Sequence, residues 1–257
     1  MPSYAYCTVA VGESYLKQAI EFHTKVVSYP NCRCSVITTN PSAYASIVDT
    51  YVSPKITFDL LESDDIAFNA PPGHHSRGPF NEFGFNYNIK HRPIAKTHSI
   101  TDADHIIFCD ADWKVRSEYS EDGVLTVLQQ MSAMEVDFMF ERPHKIGHGK
   151  HNLAGCFWKH KIDAYGLMNT SEFDNADVCN EQYMIFANNQ KLGVFCEYWN
   201  SLYAKSQREN IWTFAEGVEI GMSTIVAKMK TALIPLRIMN NYYEFLPKYR
   251  ETPLLKF

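Results

Sequence analysis

The run His105-Ile106-Ile107-Phe108-Cys109 constrains this chain more than any other feature. It is too short for a helix of its own, and acids bound it on both sides, Asp104 before and Asp110 after. A short apolar run bounded in this way is the pattern of a strand buried on both faces, which requires helices packed over both sides of its sheet. The preceding elements agree. Tyr4 to Val11 alternates and carries β-branched and aromatic side chains; Gly12 then breaks the run, and Ser14 is placed to cap a helix to about Ser28. Cys34 to Thr39 reads as a second buried strand, stopped at Asn40-Pro41, and Tyr51 to Phe58 as a third.

From Leu60 to Gly84 the chain is polar and rich in breakers (Pro71-Pro72-Gly73, Arg77-Gly78-Pro79), which predicts a long surface loop. Phe85 to Ser99 predicts a helix that Pro93 either kinks or opens. After the central run the pattern predicts a helix near Gly123 to Met134, a strand Val136 to Phe140, a Gly/His-rich loop Pro143 to His151 and a strand Leu153 to Trp158. A helix Asp177 to Asn189, a strand Leu192 to Glu197, a helix Val218 to Lys230 and a last strand Thr231 to Ile238 follow. Such alternation indicates an α/β sandwich around a mostly parallel sheet. With 257 residues, 46% of them hydrophobic, there is apolar material for one sizeable core, so residues 1–257 are read as a single domain.

A formal charge of -5 argues against a chain that sheathes nucleic acid, which needs a basic face. No apolar stretch approaches the roughly 20 residues that cross a bilayer, and Met1 to Cys7 lacks the pattern of a secretory leader. The seven cysteines are odd in number and mostly set in apolar runs, so they are expected as buried thiols in a reducing compartment, and the protein as cytoplasmic. Cys32-Arg33-Cys34 is read the same way, because no second pair is spaced to complete a metal site.

Ligands of open α/β sheets bind outside the carboxyl ends of the strands. Asp110 and Asp112 fall at that position, and the small Ala111 between them lets both carboxylates converge. Hard oxygen donors of this kind suit Mg²⁺ or Mn²⁺, which share their coordination with water and substrate phosphates. Asp102-Ala103-Asp104 has the same spacing but precedes the strand, where it caps or solvates the entry. His144 and His148 have i,i+4 spacing, yet Gly147 and Gly149 disfavour the helix that would put both rings on one face.

The segment Ile106-Ile-Phe-Cys-Asp-Ala-Asp112 resembles the Asp-x-Asp signature of GT-A glycosyltransferases. The opening strand-turn-helix resembles the nucleotide-binding half of that family, and Phe85 to Arg92, with Lys90, resembles the helix from which a basic residue approaches the donor. The resemblance implies a GT-A type, Rossmann-like α/β/α sandwich. Residues 1–115 would form the nucleotide-binding half, with Val11, Gly12, Lys90, Asp110, Ala111 and Asp112 around the donor, and residues 116–257 the acceptor and catalytic half. Asn152-Leu-Ala-Gly155 resembles the family's Asn-x-Gly strand, where Gly155 lets the donor sugar approach the backbone. Asn180-Glu181-Gln182 resembles an acid-Gln pair opening a helix. Phe214-Ala-Glu216-Gly-Val-Glu219 resembles an acidic segment that supplies a general base, although Gly217 stands where that base is usual.

Three acids, Glu181, Glu216 and Glu219, are therefore candidates for the chemical step, in which a carboxylate stabilises an oxocarbenium-like state or takes the acceptor proton. Acids at a helix start are also stabilised by the helix dipole alone. The loop His144 to His151 is read either as a partly cationic flap over the diphosphate or as a plain surface loop, and Trp113, Trp158, Trp199 and Trp212 as sugar-stacking or core residues. The implied activity is transfer of a sugar from a nucleotide-sugar, a UDP-sugar favoured, to a glycan, protein or other acceptor. Two alternatives stand beside it: a nucleotidyltransferase that forms the nucleotide-sugar, and a non-catalytic carbohydrate- or nucleotide-binding module. The first normally carries a glycine-rich basic loop, which Val11-Gly12-Glu13-Ser14 is not, and for the second the paired acids are surplus.

Overall fold

A computed structural model describes residues 1–27, 29, 32–38, 45, 55–60, 87–115, 121–140, 179, 181–209, 216–235 and 243–245. In chain order these form β1 (Tyr4–Ala10), α1 (Glu13–Val26), β2 (Cys32–Thr38), β3 (Ile56–Leu60), a 3₁₀ turn (Tyr87–Lys90), α2 (His91–Ile100), β4 (His105–Cys109) and β5 (Trp113–Val115). They continue with α3 (Glu121–Ala133), β6 (Phe138–Phe140), β7 (Tyr183–Ala187), α4 (Gln190–Glu209), α5 (Glu216–Val226), β8 (Thr231–Leu233) and β9 (Tyr243–Phe245).

Among the described residues seven strands make one sheet in the order β3-β2-β1-β4-β7-β6-β8, and of these β7 alone runs against the rest. The remaining described pair, β5 and β9, forms a small antiparallel ribbon. Alternate residues of the sheet feed two cores. Tyr4, Tyr6, Cys34, Ile107 and Cys109 meet Phe22 and Val26 of α1 and Val124, Leu128 and Met131 of α3. On the other face Cys7, Ile106, Phe108, Phe138 and Phe186 meet Ile94 of α2, Phe195 and Trp199 of α4 and Ile220 of α5. The architecture is an α/β/α sandwich around a mostly parallel sheet. The central run is buried along its whole length, as a strand covered on both faces must be.

Three local expectations change. Ser14 does not cap α1: Gly12 precedes the helix at φ 86°, and Leu16 N–H donates to its carbonyl at 3.1 Å. The strand-to-helix turn takes a backbone conformation that L side chains rarely adopt, so glycine occupies the cap position and Ser14 falls inside the first turn. The helix expected over Asp177 to Asn189 is replaced, over its described residues, by β7. Tyr183-Met-Ile-Phe is fully buried and pairs with both β4 and β6, so it satisfies strand burial on two faces. The strand expected over Leu192 to Glu197 lies inside α4. There Leu192, Phe195, Cys196, Trp199 and Tyr203 are buried at helical spacing, and Asn189 Oδ1 accepts the Lys191 N–H at 2.9 Å to cap the start. Pro93 stands in the first turn of α2, the second of the two positions expected for it. The expected strand Leu153 to Trp158 and the loops Leu60 to Gly84 and Pro143 to His151 lie outside the described residues, save Leu60, which closes β3.

Candidate functional site

The site forms where β4 stops. Asp110 continues the ladder by one residue, its N–H donating to the Gln182 carbonyl at 2.9 Å, and Trp113 N–H then closes a turn on the Asp110 carbonyl at 3.2 Å. Ala111 and Asp112 ride on this turn and are buried. Ala111 packs in one cluster with Ala10, Leu16, Ala19 and Val36, which brings the end of β1, and with it Val11 and Gly12, alongside the acids.

Lys90 reaches the same point from the 3₁₀ turn. Its Nζ lies 2.9 Å from Asp110 Oδ1 and 5.8 Å from the centre of the Phe108 ring. Both side chains of the ion pair are sheltered, at 9% and 22% exposure for Lys90 and Asp110. The turn is fixed from behind, because Ile89 packs with Ile37 and Tyr203 while His91 Nε2 bonds Asn200 Oδ1 at 2.9 Å. Phe108 was not foreseen as part of the site. The signal is parity, since residues two apart on a strand share a face and Asp110 extends the face of Phe108.

Burial pushes the Asp110 carboxyl up to about 6; Lys90 opposes that rise, and the charges of Asp112 and Glu181 add to it. Glu181 therefore stands close enough to Asp110 for its charge to be felt. The reason is the reversed direction of β7, whose first residues meet the last of β4, with Tyr183 paired to Cys109. Glu181 and Gln182 thus join the site by opening a strand and not a helix.

The remaining predicted residues divide. Glu219 is 1% exposed inside α5, where its Oε2 accepts the Trp199 Nε1–H at 3.2 Å. Glu216 is the first residue of the same helix. Asn152 and Gly155 lie outside the described residues, as do Trp158 and Trp212. Trp113 and Trp199 are core residues: Trp113 packs on Tyr183 with ring centres 5.0 Å apart, and Trp199 packs on Phe195 at 5.6 Å. Among the described residues no group of three or more His, Cys, Asp or Glu side chains is arranged to hold a metal ion, and no helix is long and apolar enough to cross a membrane. A groove of about 540 Å³ runs between α2 and α4 beside the ends of β2 and β3, and His91, next to Lys90, lines it.

No family model matches the sequence. No curated protein matches it either. Among solved structures the chain is similar to the galactosyltransferase LgtC, crystallised in complex with donor and acceptor sugar analogs. That likeness has 14% identity and a TM-score of 0.47, and covers 89% of this chain and 73% of that one. Likeness at this level does not carry an activity across, so the functional reading rests on the residues at the end of β4.

Proposed function

We propose that this chain is a GT-A type glycosyltransferase that moves a sugar from a nucleotide-diphosphate sugar, a UDP-sugar first, to a hydroxyl acceptor, with Mn²⁺ or Mg²⁺ held by Asp110 and Asp112. The observation that carries the reading is convergence. Two carboxylates at the carboxyl end of a central strand meet a sheltered lysine from the 3₁₀ turn and a third acid from β7. The donor set fits the cation, because two sheltered carboxylates offer hard oxygens and leave the other positions to phosphate oxygens and water. When bound, the cation neutralises charge on the departing diphosphate.

The chain's own residues do the rest. Gly12, at the turn after β1, lets a nucleotide approach the backbone without meeting a side chain. The Lys90 ammonium supplies a fixed positive charge where a diphosphate would lie. Glu181 is the acid we assign to the reacting side, either holding charge at the anomeric carbon or taking the proton of the acceptor hydroxyl as its oxygen bonds that carbon and the bond to diphosphate breaks. Gln182 anchors Asp110 through its carbonyl. Glu216 is the second acid in reserve, whereas Glu219 belongs to the framework through Trp199. Asn152 and Gly155 complete the donor site in this reading. The turn after β1 holds Gly12 as its sole glycine and no basic residue, which disfavours nucleotidyl transfer.

The test is incubation of the full chain and Mn²⁺ with a panel of UDP-, GDP- and CMP-sugars, followed by mass spectrometry. Slow release of free sugar from one donor is expected. Intact donors throughout, with Mn²⁺ or Mg²⁺, contradict the proposal.

A further inference from the structure

The pairing of Lys90 with Asp110 carries a consequence for the order in which ligands are accepted. We propose that Lys90 makes cation binding at Asp110 and Asp112 conditional on a diphosphate, the bare site being closed to a free divalent ion by the ammonium already seated on Asp110. The inference rests on the reading of the two acids as cation ligands.

The Lys90 Nζ lies 2.9 Å from Asp110 Oδ1, with side chains 9% and 22% exposed, so little water lies between the charges to screen them. Phe108 holds the ammonium over its ring on the side of the sheet covered by α2, α4 and α5. The turn bearing Lys90 packs against α4 and α5 and is pinned through Ile89 and His91, so the cation's position is built into the core. A divalent ion arriving alone on these carboxylates therefore meets a fixed like charge a few ångströms away in a poorly screened setting, where repulsion is several times stronger than in water.

A diphosphate reverses the balance. Its oxygens accept from the Lys90 ammonium and ligate the ion at once, so the two positive charges are separated by negative ones. Binding of the ion and of the nucleotide must then be positively coupled, and the coupling is reciprocal. Removing the charge at position 90 uncouples them in a defined direction: the ion alone binds better, and the nucleotide loses a partner.

The experiment is calorimetric titration of Mn²⁺ into the full chain, with and without saturating UDP, for the natural protein, K90M and K90R. The natural protein is expected to bind Mn²⁺ at least about tenfold more tightly with UDP than without, within the usual range of coupling between sites. K90M is expected to bind Mn²⁺ alone about tenfold more tightly than the natural protein does and to lose most of the coupling, whereas K90R keeps the natural pattern. K90Q, neutral but still a hydrogen-bond donor to Asp110, replaces K90M if that variant does not fold. If the natural protein binds Mn²⁺ with UDP while the neutral variant binds Mn²⁺ alone no better than the natural protein, the inference is overturned and the functional reading survives. If none binds Mn²⁺ even with UDP, both are overturned.

Discussion

The backbone N–H of Asp110 donates to the carbonyl of Gln182 at 2.9 Å, so the first acid of the Asp-x-Asp pair is held by the strand that runs against all its neighbours in the sheet. This bond sets the direction in which the chain leaves β4 and delivers Glu181 to the same edge. A parallel strand at that position would have placed its first residues at the opposite end of the sheet. The reversed β7 is therefore what joins two sequence motifs, some 70 residues apart, into one site.

Glu219 separates a framework acid from a reacting one. It is 1% exposed and accepts from Trp199 Nε1 at 3.2 Å. Glu219→Gln keeps an acceptor for the indole and is expected to leave turnover within a few-fold of the natural protein. Glu219→Ala removes the acceptor and leaves a void, and is expected to cost about 2–4 kcal/mol of stability. Urea unfolding and initial rates measured on both variants check this. A stable Glu219→Gln protein with turnover lost would return Glu219 to the chemistry.

His23 gives a pH dependence with a fixed sign. It is buried against Tyr6 and Phe22, and among the described residues neither ring nitrogen has a hydrogen-bond partner. Burial drives its pKa down from 6.5 to about 3. Between those values the unfolded chain takes up a proton that the folded chain refuses. The contribution of neutral His23 to stability is thus intact above about 6.5 and is lost as pH falls toward 3, by roughly 1.4 kcal/mol per pH unit. His23→Phe is expected to lose about 2 kcal/mol less than the natural protein between pH 7.5 and pH 5. Urea unfolding at the two pH values reads the difference, and parallel losses would show that His23 is not the titrating group.

The sandwich and its central strand were legible because burial on both faces leaves an unbroken apolar run, and His105 to Cys109 has one. Asp110 and Asp112 were legible for the same reason, as polar residues directly after such a run occupy a strand end. Element type between residues 177 and 197 was not, whereas the helix and strand expected from Val218 and Thr231 are present as α5 and β8. Tyr183 to Phe186 is apolar and short, so periodicity alone does not separate a strand from a piece of buried helix. The helical spacing of Leu192, Phe195, Trp199 and Tyr203 extends past the window in which Leu192 to Glu197 reads as a strand. The mostly parallel direction of the sheet was legible from the alternation of elements, but the reversal of β7 was not. The approach of Glu181 to Asp110 depends on that reversal and on register, which no local spacing encodes, and Lys90 meets Asp110 only through the packing of its turn on α4 and α5.

The most direct test of the central claim is calorimetric titration of UDP, GDP and CMP, with and without Mn²⁺, into the natural protein and Asp112→Asn. One nucleotide is expected to bind the natural protein only when Mn²⁺ is present. Asp112→Asn is expected to lose that binding while keeping the circular dichroism spectrum and cooperative melting of the natural fold. Absence of metal-dependent binding for every nucleotide, or unchanged affinity in the variant, would contradict the assignment of Asp110 and Asp112 as the cation-holding pair.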